Sequence, residues 1–197
     1  MKTQHHILSL NRAILIIGGI ALLAVIALPI WRIELDAAQY PEGLELLIYS
    51  YKLEGEVDII NGLNHYIGMK TLRADDFIEF TLLPYLIGIY GLAFILVGIS
   101  ARRKLLNILF GAFLLFGVIS MVDFWRWLYE YGHDLNPSAP IKVPGMAYQP
   151  PLIGFKQLLN FGAFSIPAIG GWIFIACGIL LAYCVYVEWR MVNYKTS

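Results

Sequence analysis

Phe80–Val122 reads FTLLPYLIGIYGLAFILVGISARRKLLNILFGAFLLFGVISMV, two runs without charge separated by the basic turn Ala101-Arg102-Arg103-Lys104. An α-helix rises about 1.5 Å per residue and bilayer hydrocarbon is about 30 Å thick, so roughly 18–22 apolar residues suffice to cross it. Phe80–Ala101 and Leu105–Val122 both fit that length. Lipid offers the backbone no hydrogen-bond partner, so spanning segments of this kind are helices. Three positive charges in a four-residue turn assign the turn to the cytoplasmic side of a membrane.

Two further apolar runs flank this pair, at Ala13–Trp31 and about Ile166–Val187. Hydrophobic residues make up 59% of the 197-residue chain and charged residues only 14%, with a mean hydropathy of +0.68. Soluble domains carry nearer a quarter charged residues. The sequence therefore predicts an all-α membrane protein, one membrane domain over residues 1–197 with four transmembrane helices. Lys2 and Arg12 precede the first span, and Arg190 and Lys195 follow the last. Both termini are thus expected in the cytoplasm, and the loops at about 32–79 and 123–165 on the outer side of a bacterial inner membrane. The first run also resembles a signal peptide. Its end, Ala27-Leu28-Pro29-Ile30-Trp31-Arg32, lacks a small-residue cleavage site, and Trp31 with Arg32 reads as an interfacial anchor. Gly18-Gly19, Gly88, Gly91, Gly111, Gly117 and Gly170-Gly171 suit close contact between helices in lipid.

The outer loops carry their own patterns. Tyr40-Pro41-Glu42-Gly43 is a turn signal, and Leu44–Leu53 with Glu56–Ile60 around Glu54-Gly55 predicts a β-hairpin in a small extracytoplasmic cap. Leu63–Met69 reads as a helical turn. The third helix is expected to run past its aromatic belt at Phe124-Trp125-Arg126-Trp127 to about Tyr131, and Lys156–Phe164 reads as a short interfacial helix. Pro137, Pro140, Pro144, Pro150 and Pro151 stiffen the stretch between. Asp75, Asp76 and Glu79 could attract a cation or a basic partner, although a solvated helix start is the plainer reading. Asp123 and Arg126, three residues apart, suggest a local ion pair.

Four metal-capable side chains lie in these loops: His65 with Met69, and His133 with Met146. In a helical turn residues four apart share a face, so His65 and Met69 could approach one ion together. Two imidazoles and two thioethers form a neutral, soft donor set that favours copper, as Cu(I), over harder ions or zinc. Asn61 and Asn64 could orient the His65 ring. The plain alternative is that both methionines pack against the bilayer surface and both histidines are ordinary exposed residues. His5 and His6 belong to the cytoplasmic tail and cannot join the set.

Other chemistry is disfavoured. Zero net charge without a basic stripe argues against nucleic acid. No histidine lies in any span, against a haem held between helices, and none of the four runs carries a charge at its middle, against a proton-coupled carrier. Walker, Rossmann and nucleophile-elbow motifs are missing, as is CxxC, so no enzyme activity is expected. Cys177 and Cys184, seven apart in the last span, read as small packing residues.

Asp58–Met69 (DIINGLNHYIGM), Lys142–Phe161 (KVPGMAYQPPLIGFKQLLNF) and the WRIELDA start of the first outer loop resemble a family of small multi-span membrane proteins. These are found with the nitrous oxide reductase maturation genes of Bacteroidota and related bacteria. The resemblance implies a setting: nitrous oxide reductase is a copper enzyme matured outside the cytoplasm. The soluble copper chaperones of that system follow a cysteine-containing lipoprotein pattern that this chain lacks. The expectation is an accessory factor that binds or delivers copper during assembly of such an enzyme. The alternative is a metal-free scaffold docking a maturation or electron-transfer partner through Trp125, Trp127, Tyr131 and Tyr148, since aromatics dominate interface energies.

Overall fold

The structure, a computed structural model, describes residues 7–158 and 161–196, with side chains as far as Met191. Lys2, His5, His6 and the side chain of Lys195 lie outside the described residues. Among the described residues there are five α-helices: α1 Ser9–Val25, α2 Val57–Ile67, α3 Ile78–Ser100, α4 Arg103–His133 and α5 Ile169–Thr196. Of these, α3, α4 and α5 are long and apolar enough to cross a membrane. The fourth expected span differs. Its helix begins early, at Ser9, and stops at Val25 after 17 residues, a rise of about 26 Å. Pro29 explains the stop, because the residue before a proline avoids helical dihedrals. The chain turns there and enters a strand at Trp31.

α1 lies antiparallel along α3, and small residues set the spacing. A Cβ on Gly19 would sit 2.5 Å from the Gly91 carbonyl oxygen, and one on Gly98 would sit 2.9 Å from the Arg12 carbonyl oxygen. Side chains at these points would force the helices apart. Gly88, Gly111 and Gly117, expected to make similar contacts, have nothing within 4 Å. Leu15, Leu22, Phe94, Leu106, Leu181 and Cys184 fill the core between the helices.

Residues 31–67, 154–158 and 161–167 build a cap at one end of the helices. Its five strands are β1 Trp31–Ala37, β2 Tyr40–Ile48, β3 Leu53–Gly55, β4 Gly154–Leu158 and β5 Phe161–Pro167. They form one antiparallel sheet in the order β3-β2-β1-β5-β4. Trp31, Ile33 and Ala37 alternate inward from β1, and Leu44 and Leu46 from β2. They pack on Leu128 and Tyr131 of α4 and Ile60 of α2. Trp31 Nε1 donates to Ser165 Oγ at 2.8 Å, which ties β1 to β5 beneath this layer.

Several loop readings are corrected. Tyr40–Gly43 lies inside β2, and the hairpin turns between Ile48 and Leu53. Residues 57–60 open α2 instead of returning as a strand. The burial of Ile60, Asn64 and Ile67 shows why, since their spacing places one stripe on a helix. The helix expected over Lys156–Phe164 is the β4–β5 pair, because β1 presents a free edge whose ladder outweighs local preference. α4 runs to His133, just beyond the expected end at Tyr131.

Candidate functional site

The four metal-capable residues sit where α2 ends and α4 ends. Gly68 closes α2 in the left-handed region, at φ 83°. A side chain there would be strained, and its Cβ would also meet Asn136 and Ala139 at about 3 Å. This close approach lets the loop after α4 dock onto the end of α2. Asn136 N donates to the Gly68 carbonyl at 2.8 Å, and Ile141 N to the Tyr66 carbonyl at 2.9 Å. Lys70 Nζ lies 2.6 Å from Asp134 Oδ2, and that hydrogen bond holds the lysine pKa above its usual value. The two segments singled out by the sequence are therefore joined by their backbones.

Their side chains are placed less uniformly. His65 is exposed on α2 and meets Tyr66 edge to face. His133 is exposed, stacks on Tyr129 with ring centroids 3.9 Å apart, and has Nδ1 2.9 Å from the Tyr129 carbonyl. A carbonyl only accepts, so Nδ1 carries a proton, and in the neutral ring Nε2 keeps its lone pair, the arrangement of many metal-binding histidines. Met69 is half-buried against the apolar core of the cap. Met146 is half-buried in a turn closed by its N–H on the Val143 carbonyl, 3.1 Å away. Among the described residues no hydrogen bond or ring contact joins the four side chains. Nor do three of His, Cys, Asp or Glu gather there into a metal-capable group, so an ion held here would depend on thioethers.

Asn61 and Asn64 do other work than orienting His65. Asn61 Oδ1 accepts from Leu72 N at 2.6 Å and its Nδ2 donates to the Leu72 carbonyl at 3.1 Å, while Asn64 Nδ2 donates to the Lys70 carbonyl at 3.4 Å. Both brace the chain leaving α2.

Two apolar cavities adjoin this region. One, of about 80 Å³, lies within the cap and is lined by Met69, Tyr131, Tyr148 and Leu158 among others. The second, of about 180 Å³, opens between the cap ends of α3 and α4 under the sheet. Trp127 lines both. Its Nε1 and the Tyr148 hydroxyl are buried with no hydrogen-bond partner among the described residues. Of the four aromatic anchors the scaffold reading requires, Tyr148 and Tyr131 are buried and Trp127 is half-buried. Trp125 alone is exposed, at 48%.

No protein-family model matches this chain, and neither does any curated protein.

A residue that the sequence reading passed over lies at the far end of the helices. Glu188 is 3% exposed and accepts from Arg103 Nε, Asn11 Nδ2 and Leu8 N at 2.7–2.8 Å. The signal was present: Cys177, Leu181, Cys184 and Glu188 follow one helical stripe, and the first three are buried. The Asp123–Arg126 pair forms as expected, at 2.9 Å. Asp75 and Asp76 are exposed in a single 3-10 turn before α3. Both cysteines are buried packing residues.

Proposed function

We propose that this chain is a four-span accessory protein of a bacterial inner membrane, with its cap outward, that holds Cu(I) and passes it to an extracytoplasmic copper enzyme of the nitrous oxide reductase type. His65 and His133 supply the imidazoles, and Met69 and Met146 the thioethers. The observation that carries this reading is the docking of the two segments through Asn136, Ile141 and the Lys70–Asp134 pair. Support for α1 as the fourth span comes from its packing along α3, with the apolar residues 26–30 extending its length. Support for the orientation comes from Arg12 and Arg103, which bond to Gly98 and Glu188 at the end remote from the cap.

The exposed lone pair of His133 suits a neutral ligand, and two such imidazoles with thioethers bind a soft cation without thiolates. Met69 has to leave its packing to reach an ion shared with the histidines, which makes release the easier direction. A second reading, a metal-free docking scaffold, draws on the exposed Trp125–Tyr129 stack, with centroids 5.5 Å apart. Competition titration of the full-length protein in detergent with a chromogenic Cu(I) chelator separates the two. One copper per chain is expected, with at least tenfold weaker binding in His65→Ala and in His133→Ala. Unchanged stoichiometry and affinity in both variants overturns the copper reading.

A further inference from the structure

Charge cancels over the whole chain but not within either end of the molecule. Of the 14 acids, thirteen lie between Glu34 and Glu79 or between Asp123 and Asp134, toward the cap. At the opposite end stand Arg12, Arg102, Arg103, Lys104 and Arg190, and the one acid among the described residues there is Glu188. That acid is consumed inside the fold, since it is 3% exposed and paired with Arg103. The pair is neutral, and the other four cations keep their charge. Arg102, Lys104 and Arg190 are exposed, and none has an ion-pair partner among the described residues.

Hydrogen bonds hold this end together at one level. Ile7 N donates to the Ala101 carbonyl at 3.0 Å, so the chain before α1 is pinned to the α3–α4 turn. Arg12 Nε donates to the Gly98 carbonyl at 3.0 Å, and Arg103 Nε to Glu188 of α5 at 2.7 Å. The turn joins two helices that are each long and apolar enough to cross a bilayer. The level so defined is the edge of the hydrocarbon, where headgroups begin. Cations fixed there in advance lose little freedom when they take a partner.

Position narrows the partner to a lipid. Ile108 lies one turn inward from Lys104 on α4, and Tyr186 one turn inward from Arg190 on α5, a spacing that puts each pair on one helix face. Ile108 and Tyr186 are both exposed, as is the neighbouring Trp189, and Arg190 lies 5.9 Å from the Tyr186 ring. Aromatic residues of this kind favour the headgroup region. An amphiphile meets the cation with its phosphate and the inner side chain with its acyl chain, whereas a soluble anion meets the cation alone. Charge narrows it further. A phosphatidylcholine carries its own cation, but a phosphatidylglycerol brings an uncompensated negative charge, and each Lys or Arg near an anionic surface adds attraction.

We propose that the end remote from the cap binds anionic phospholipid, with phosphates held by Arg102, Lys104 and Arg190 and acyl chains laid along the outer faces of α4 and α5. The inference rests on the membrane-spanning part of the proposed function and is independent of copper.

The test is native mass spectrometry of the full-length protein released from detergent, titrated with phosphatidylglycerol and separately with phosphatidylcholine of the same chain length. Phosphatidylglycerol is expected to bind at least about fivefold more tightly, the effect of one engaged cation. The triple variant Arg102→Gln, Lys104→Gln, Arg190→Gln is expected to lose the preference with an unchanged thermal midpoint, and Lys104→Gln alone to lose part of it. Arg73→Gln with Lys142→Gln removes two exposed cations from the cap side and is expected to keep it. Equal affinity of the parent protein for the two lipids overturns the proposal. So does a preference that survives in the triple variant or vanishes in the cap-side one, and so does displacement of the lipid by inorganic phosphate at equal concentration, the mark of a soluble-anion site. Retention of neither lipid would overturn the membrane reading along with it.

Discussion

Arg103 and Glu188, 85 residues apart in sequence, meet at 2.7 Å with both side chains largely buried. The carboxylate also accepts from Asn11 and from the Leu8 backbone, so one acid ties the first turns of α1 and α4 to α5. Removing one partner of a buried pair leaves a charge without solvent or counter-ion, at a cost of about 3–5 kcal/mol. Glu188→Ala is expected to lower the thermal midpoint in detergent sharply. Arg103→Met combined with Glu188→Leu is expected to recover much of the loss. A midpoint for Glu188→Ala within error of the parent protein would refute the clamp.

The α1–α3 contact makes a contrast between glycines. Gly19→Ala places a methyl 2.5 Å from the Gly91 carbonyl oxygen, and overpacking of this kind costs about 1–3 kcal/mol. Gly117→Ala meets open space and is expected to be neutral or to stabilise α4 by up to about 1 kcal/mol. Thermal melts of the two variants in one detergent check both signs.

Asn61 satisfies the donor and the acceptor of Leu72 at once. Asn61→Ala is expected to destabilise the cap by about 1–3 kcal/mol, since the buried Leu72 backbone loses both partners. Hydrogen exchange is the measurement of choice: the Leu72 amide should lose protection while amides within α5 keep theirs.

Acid should loosen the β2–β3 turn. The hydrogen bond from Lys52, then that from Tyr49, hold the Glu54 carboxyl below its ordinary pKa of 4.5. A depressed folded-state pKa means the contribution is complete above 4.5 and is lost as pH falls through the lower, folded value. The effect is small because the groups are exposed. Tyrosine fluorescence near Tyr49 and Tyr51 should change below pH 4.5 in the parent protein, and the change should vanish in Lys52→Ala.

Linkage between the docked segments offers a fifth test. Asp134→Asn breaks the ion pair with Lys70, both side chains being more than half exposed, so a stability change of less than about 1 kcal/mol is expected. The backbone bonds from Asn136 and Ile141 remain. Mass-spectrometric exchange should show faster opening around Gly68 with little change in the global midpoint.

What could be read from the chain alone follows from how each signal is carried. Ile78–Ser100, Arg103–His133 and Ile169–Met191 are long, apolar and local, so composition suffices to identify them. The continuation of α4 through Phe124–Trp127 and the helical turn before Met69 were likewise legible, as was the Asp123–Arg126 pair. The end of α1 was blurred, because the apolar run passes Pro29 without a break in hydropathy while the backbone cannot continue as helix.

Strands were the harder part. β1 and β5 lie 134 residues apart at the Trp31–Ser165 bond, and WRIELDA alone carries no sign of its partner. A ladder is a relation between segments, and its register is set by which faces can be buried together. The same limit governs the candidate site. The sequence placed His65, Met69, His133 and Met146 in two loops, but only folding decides that Asn136 reaches Gly68, that Met69 turns to the cap core and that His133 lies flat on Tyr129.

Length and charge-free composition by themselves determined the three long apolar helices, since the cost of unpaired backbone in hydrocarbon is paid residue by residue. Tertiary structure decided the five-stranded cap, the buried Glu188 clamp and the aromatic cleft around Trp127. Each of these exists only where distant segments exclude water from one another, and no local stretch of sequence encodes that exclusion.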